Sequence, residues 1–459
     1  MTALPPDFCS LMADTLGPAE AKALCFALDN TEPGVSLRLN PQKPAASAPE
    51  GALVGWCATG RRLDSRPPFT RDPLLHAGAY YVQEAASMFV EQAYRTLFSS
   101  LPTGGERPLR ALDLCAAPGG KSTLWRTLLP DGALLVANEP ERPRREVLQE
   151  NLAKWGQPDV VVAQAMPDDF AQLGGFFDII AADVPCSGEG MFRKDSDARR
   201  YWSREAVERC AARQRAIVAD VWPALREGGW LVYSTCTFNS EENERNVRWI
   251  CRELGAEVVE IPLQAAWRIF QLPCGEDGAA GYRFLPHRTE GEGFFLALLR
   301  KTSGATAWRA PKVRPSKGVQ GAAEAAEWLV NTADFRIFEP AEGCMSAVRK
   351  SLWPAVEALC GAVRVTQAGV PLAVRKGRKL VPAHELSLST VLRHEAFPCV
   401  TLTLDEALAY LRRESLCLPP ATPRGYCLLF YDGQPIGFAN NLGARANNLY
   451  PQHWRIRHG

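Results

Sequence analysis

Three short segments of this chain carry residue types that do chemistry. The first is Asp113-Leu-Cys-Ala-Ala-Pro-Gly-Gly-Lys-Ser-Thr123. Gly119 and Gly120 let the backbone turn sharply and approach a ligand closely. This is not a Walker A loop, because Cys115 stands six residues before Lys121, where that loop needs a glycine. It is not GxGxxG either. Glu139 follows 24 residues after Cys115, at the end of the next apolar run. A carboxylate placed there can accept hydrogen bonds from both hydroxyls of a ribose. The second segment is Asp183-Val-Pro-Cys-Ser-Gly-Glu-Gly190, with Asp183 and Cys186 in a Pro/Gly-rich turn. The third is Tyr233-Ser-Thr-Cys-Thr-Phe-Asn-Ser-Glu-Glu-Asn-Glu244. Asn239 or Ser240 is predicted to cap a helix, with Glu241 and Glu242 in its first turn. Cys236 then sits just before a helix start, where a thiolate is favoured. Each segment also has a plain reading, as a tight turn or strand end with a small buried residue. The local context leaves open which cysteine would attack a substrate.

The elements that must position these segments can be read from hydrophobic patterning. Residues 109–114, 133–137, 159–163, 177–183 and 229–234 are short apolar runs, and 293–299 is one more. Helix-like stretches at 121–129, 141–155 and 203–225 separate them. Strands alternating with helices imply a mostly parallel sheet covered on both faces, hence an α/β fold. All three chemical segments follow strands, so they gather at one edge of that sheet, where open α/β sheets bind ligands. That coincidence is what lifts them above the plain reading. Residues 1–95 are expected to be mainly helical, with apolar residues at helical spacing over 12–28. Residues 96–300 form the expected Rossmann-like domain. Residues 301–340 are the expected linker, because 300–320 is rich in Ser, Gly, Ala, Pro and basic residues. Residues 341–459 are expected to form a small α+β module. It has strand character at 363–374 and 426–439, turns at Ala368-Gly369 and Asp432-Gly433, and a helix at 405–413 with Thr403 as its cap.

Composition narrows the class. The chain has 459 residues, 46% hydrophobic and 22% charged, as in ordinary globular proteins. Its apolar runs are far too short to cross a bilayer, and the first residues lack a secretory pattern. A cytoplasmic location, no membrane association and a monomer are expected. The 14 cysteines include no CxxC pair, so no metal site is expected. Net charge is only +1, but residues 341–459 hold 14 Lys and Arg against 8 Asp and Glu. A basic tail on a slightly acidic body suits a polyanionic partner. Arg375, Lys376, Arg378 and Lys379 form its densest cluster, followed by Arg445 within 440–450. Arg142, Arg144, Arg145, Arg193 and Lys194 are further candidates for phosphate contacts.

The motifs CAAPGGKST, DVPCSGEGMFRKD, YSTCTFNSEENE and YRFLPHRTEGEGFF, in that order, resemble those of the Sun/Nop-type RNA cytosine-5 methyltransferases. SLRLN at 36–40 and GAYYVQE at 78–84 are similar to the family's N-terminal motifs. RVTQAGVPLAVRKGRK and YDGQPIGFANNLGARANNLYPQHWRIR resemble the PUA-like RNA-binding tail of its bacterial RsmF-like branch, which methylates 16S rRNA. The likeness spans nearly the whole chain. It implies that Cys115, Ala116, Ala117, Pro118, Gly119, Gly120 and Lys121 hold S-adenosylmethionine, with Glu139 on the ribose and Asp183 near the reactive end. It implies that Cys236 attacks cytosine carbon 6, that Asp183 holds the ring at N3, and that Cys186 assists product release. The DNA cytosine-5 enzymes, by resemblance, use the Pro-Cys cysteine and lack the Thr-Cys one. Having both favours RNA. Two departures appear: Val184 where the family more often has Ala, and Gln164 where many members carry an Asp, Glu or Asn for the adenine. The implied partner is RNA, 16S rRNA or the small ribosomal subunit. Transfer RNA as substrate, and a non-catalytic assembly factor that kept the fold, are the alternatives.

Overall fold

The structure is a computed structural model that describes residues 3–100, 107–275, 278–304, 308 and 318–457. The chain opens with helices α1 (Pro6–Leu16) and α2 (Pro18–Asn30), each with proline in its first turn. Gly17 separates them at φ +86°, a conformation that suits glycine. Strands β1 (Val35–Leu39), β2 (Ala52–Val54), β3 (Cys57–Leu63) and β4 (Tyr80–Val82) follow, in the order β2-β3-β1-β4. The N-terminal extension is therefore helical only at its start and around α3 (Pro73–Ala77) and α4 (Val90–Ser99). A four-stranded antiparallel sheet lies between, where the sequence suggested mainly helix. The reason is physical. Strands β2 and β4 have only three residues each, and although Val35-Ser-Leu-Arg-Leu39 of β1 alternates apolar and polar residues, five residues are a weak strand signal; β1 also buries Arg38. Arg38 bonds Gln83 Oε1 at 2.8 Å and Thr123 Oγ1 at 2.5 Å, and lies over the Trp155 ring. It ties the extension to the next domain.

That domain runs β5 (Arg110–Asp113), α5 (Gly120–Leu128), β6 (Leu134–Asn138), α6 (Arg142–Trp155), β7 (Val160–Ala163), β8 (Phe177–Asp183), α7 (Ser196–Tyr201), α8 (Arg204–Val221), β9 (Leu225–Thr235) and α9 (Glu244–Leu254). Strands β10 (Ala256–Val258), β11 (Phe270–Pro273), β12 (Ala280–Phe284) and β13 (Phe294–Lys301) complete it. Strands β7, β6, β5, β8 and β9 lie side by side and parallel, and β13 adds antiparallel to β9. Successive residues face opposite sides, as the pleat requires. Leu112, Val136 and Ile180 pack with Val218, Val221, Val247 and Ile250 from α8 and α9. Ala111, Leu135 and Ile179 pack on the other face with Leu97, Leu124, Trp125 and Leu148 from α4, α5 and α6. The chain turns outward in both directions from β5 and β8, so their ends form a topological switch point and a crevice.

The C-terminal part has two small sheets. The first holds β14 (Phe335–Ala341), β15 (Cys344–Arg349), β17 (Val370–Lys376) and β18 (Lys379–Pro382). Its first strand begins within the stretch read as linker. Strand β16 (Val365–Ala368) instead joins the central sheet beside β7. What reads as one strand over 363–374 thus changes sheets at Gly369. There φ is +63°, and a Cβ would sit 2.0 Å from the Ala347 carbonyl oxygen. The second sheet holds β19 (Cys399–Thr401), β20 (Gly425–Tyr431), β21 (Gln434–Asn441) and β22 (Ala446–Asn448). Asp432 and Gly433, both at positive φ, make the turn between β20 and β21. The Thr403 cap is present, reciprocated by Glu406. This sheet folds back onto the N-terminal extension, where Asp432 Oδ2 accepts from Ser47 N and Oγ at 2.8 and 2.7 Å.

Candidate functional site

The three chemical segments meet where the sequence placed them. Asp183 ends β8 and pairs in register with Ser234 of β9. Ser234 Oγ donates to Asp183 Oδ1 at 2.7 Å, and Lys121 Nζ donates to Oδ2 at 2.8 Å. Both carboxylate oxygens are thereby oriented. Lys121, at the start of α5, also lies 5.2 Å from the Phe294 ring centroid. Burial opposes its charge, but Asp183 beside it more than offsets that and holds the ammonium pKa above its ordinary value.

Cys186 Sγ and Cys236 Sγ stand 2.9 Å apart, both partly exposed. The Cys186 thiol is pushed well above its ordinary range, first by its hydrogen bond to Cys236 and then by burial. Either sulfur can donate in this contact.

Two buried carboxylates hold the cysteine loops together. Glu189 accepts from Phe238 N, Asn239 N, Asn239 Nδ2 and Trp202 Nε1. Glu242 accepts from Ser187 N at 3.0 Å, Ser187 Oγ at 2.5 Å, Gln214 Nε2 at 2.7 Å and Asn239 Nδ2 at 2.8 Å. Gly190 N donates to the Cys236 carbonyl at 2.8 Å. Sequence reasoning assigned Glu242 to the first turn of a helix. Asn239 Oδ1 does accept the Glu242 N–H as a cap would, but α9 starts only at Glu244. Glu242 turns inward because four donors converge on it. The signal available was an acidic residue in each turn; Glu242 was read as a first-turn helix residue and Glu189 was given no role. Ser234 was missed as well.

The glycine-rich loop starts at the end of β5. Buried Asp113 accepts from Ser122 Oγ at 2.6 Å, and burial raises its pKa to about 7. Cys115, Ala117, Gly120 and Lys121 are partly accessible, Pro118 is exposed, and Ala116 and Gly119 are buried. Gly119, at φ +112°, precedes the first residue of α5. Glu139 follows β6 with Oε1 on Glu141 N and Oε2 near Arg144 Nη2. A turn of backbone opening a helix, with a carboxylate one strand over, fits S-adenosylmethionine. Gln164 is already engaged at both ends of its amide, by the Pro140 carbonyl and by Arg145 Nη1.

The basic candidates divide. Arg193 is buried, bonding Glu292, Thr31 and the Gly291 carbonyl, so it braces loops and is no phosphate contact. Arg145 is also buried. Arg142, Arg144 and Lys194 pair with Glu146, Glu139 and Glu292. Lys376, Arg378 and Lys379 are exposed at the turn joining β17 and β18. Arg375 beside them bonds Gln320 and Glu339. Arg445 is exposed just before β22. Among the described residues, no group of His, Cys, Asp and Glu is arranged to hold a metal ion. No helix there is long and apolar enough to cross a membrane.

Comparison with known proteins agrees with this geometry. The family "16S rRNA methyltransferase RsmB/F" matches residues 102–300. "N-terminal domain of 16S rRNA methyltransferase RsmF" matches 4–85, and "Methyltransferase RsmF PUA domain" matches 397–456. Ribosomal RNA small subunit methyltransferase F of Shigella boydii serotype 18 is 33% identical, across 87% of this chain and 84% of the relative. The protein of that name from Escherichia coli O157:H7 is 32% identical, across 91% and 89%. The chain belongs to the RsmB/F family. Within that family, it is an S-adenosylmethionine-dependent RNA methyltransferase with a PUA domain near its C-terminal end. Two solved structures are similar in fold to about two thirds of this chain. NSun6 from Pyrococcus horikoshii with SFG has TM-score 0.53 and 20% identity, covering 66% of this chain and 99% of that one. A methyltransferase homologue from Pyrococcus horikoshii has TM-score 0.52 and 23% identity, covering 65% and 100%.

Proposed function

We propose that this enzyme methylates carbon 5 of a cytosine in 16S rRNA through a covalent adduct on Cys236. The observation that carries the reading is the Cys186–Cys236 thiol pair beside the fixed carboxylate of Asp183. Carbon 5 of cytosine is a poor nucleophile. Addition of a thiolate to carbon 6 turns the ring into an enamine-like species and splits one hard step into easier ones. Cys236 supplies that thiolate, with Cys186 as the neighbouring thiol. Asp183, set by Lys121 and Ser234, holds the ring at N3 and stabilises charge as the adduct forms. S-adenosylmethionine supplies an electrophilic methyl group when bound. Cys115, Ala116, Ala117, Pro118, Gly119, Gly120 and Lys121 hold it, with Glu139 at the ribose and Asp183 near the reactive end. Cys186 then assists loss of the carbon-5 proton and release of Cys236. The base is unstacked to reach this crevice.

Substrate choice is assigned to the basic C-terminal surface. Arg375, Lys376, Arg378 and Lys379 rank first for RNA phosphates, and Arg445 next. The enzyme acts as a cytoplasmic monomer on rRNA or the small subunit. The relatives named for the small-subunit RNA support that choice over transfer RNA. The test is covalent trapping. Cys236→Ala is expected to abolish methyl transfer and trapping, while Cys186→Ala remains stuck to its RNA on a denaturing gel. Full turnover by Cys236→Ala overturns the assignment. Bisulfite sequencing of rRNA from a strain lacking the gene identifies the base.

A further inference from the structure

The two thiols at the sheet edge have a second chemistry available to them. They lie 50 residues apart in sequence, yet 2.9 Å apart in space, and neither is in a disulfide. Their approach is built into the loops. Glu242 clamps Ser187, next to Cys186, while Glu189 and Gly190 grip the backbone that follows Cys236. Both cysteines are partly exposed residues. The Lys121 ammonium lies within electrostatic reach of Cys236, so a cation stands near the pair. A thiol near a cation, accessible, with a second thiol poised next to it, is the arrangement of an oxidation-sensitive pair.

We propose that Cys186 and Cys236 form a reversible disulfide when the enzyme meets a peroxide, a modification site at the centre of its own active site. The bond itself stands on the geometry; only its effect on activity rests on the role proposed for Cys236. The Cys236 thiolate attacks one oxygen of hydrogen peroxide. The O–O bond breaks, Cys236 becomes a sulfenic acid, and the departing hydroxide takes a proton to become water. The Cys186 sulfur then attacks the Cys236 sulfur. The S–S bond forms, the S–O bond breaks, and hydroxide leaves with the Cys186 proton as a second water. Two electrons and two protons pass from the dithiol to the peroxide, which is the named oxidant. A second close pair shows the contrast. Cys9 and Cys25 lie 3.4 Å apart, but burial, with Cys9 beside it, pushes the Cys25 thiol up to about 12. That pair is also farther apart than Cys186 and Cys236, and it sits between α1 and α2, away from the sheet edge.

The experiment uses the full chain. Reduced protein is treated with hydrogen peroxide, blocked with a maleimide, and digested without reductant for peptide mapping. The expected product is one linked peptide joining Cys186 to Cys236, formed faster than any Cys9–Cys25 link. Methyl transfer to a 16S rRNA transcript falls at least about a hundredfold, as loss of a nucleophile demands, and returns with dithiothreitol. In Cys186→Ser, Cys236 passes on to sulfinic or sulfonic acid, which dithiothreitol does not reverse. A map in which both cysteines carry maleimide, or are oxidised separately without a link, overturns the proposal. A linked pair in a protein that transfers no methyl even when reduced leaves the disulfide standing and removes the role assigned to Cys236.

Discussion

Asp183, Cys186 and Cys236 were legible as residue types because each follows a strand in an unusual turn. What the sequence could not show is who holds them. Ser234 meets Asp183 only because β8 and β9 run in register. Glu242 meets Ser187 across 55 residues of chain. Burial pushes the Glu242 carboxyl above its ordinary pKa, against the pull of Ser187, Asn239 and Gln214. Removing it strands those donors in a closed site. Glu242→Ala is therefore expected to cost about 1–3 kcal/mol of stability, because buried donors lose their acceptor. Urea unfolding measures this. Methyl transfer should fall, while S-adenosylmethionine affinity measured by calorimetry stays unchanged, since Glu242 touches none of residues 115–121. An equal loss of cofactor affinity would show that the two loops are not separable in this way.

At the scale of elements, legibility followed burial. Strands such as β6, buried at every position, read as apolar runs. The small N-terminal sheet did not, because β2 and β4 have only three residues each and β3 carries Gly60, Arg61 and Arg62. The stretch 363–374 looked like one strand because nothing in its pattern says that Gly369 changes sheets. Glycine is again decisive between the catalytic loops. A Cβ on Gly190 would lie 2.7 Å from the Gly293 carbonyl oxygen and 2.9 Å from that of Cys236. Both neighbours are backbone, so the loops must part. Gly190→Ala is expected to destabilise by about 1–3 kcal/mol, as overpacking does. It should also lower covalent trapping of RNA by Cys186→Ala when the two changes are combined. A Gly190→Ala enzyme with normal trapping and normal melting would mean that this close approach is slack.

At the scale of the molecule, the N-terminal extension, α6 and the C-terminal module meet around two buried histidines. His76 lies on α3. Its Nε2 faces the Thr70 carbonyl at 3.0 Å and its Nδ1 faces the Tyr450 hydroxyl at 3.3 Å, a pattern that the neutral ring satisfies. His384 lies edge-on to Tyr450 and Trp454, each 5.0 Å away, and neither of its ring nitrogens has a hydrogen-bond partner. Burial, reinforced by Lys154, holds both rings at about 3 instead of the usual 6.5. Lys43 and His453 add to this at His384. The unfolded chain takes up these protons below about pH 6.5, while the native one refuses them until about 3. Their contribution is therefore complete above that upper value and drains away as pH falls through the window. At pH 5 each histidine should cost about 2 kcal/mol relative to neutral pH. His384→Phe keeps a ring against Tyr450 and Trp454 and cannot be protonated. The variant should lose about half as much stability between pH 7 and pH 5 as the parent does through this pair. Thermal unfolding of both proteins across that range decides the matter, and parallel curves would place the acid sensitivity elsewhere. The same protonation strikes where Tyr450 and Trp454 dock, so acid should loosen the C-terminal module before the central sheet. Hydrogen exchange at pH 5 should then show β20 and β21 opening while β5 and β8 stay protected.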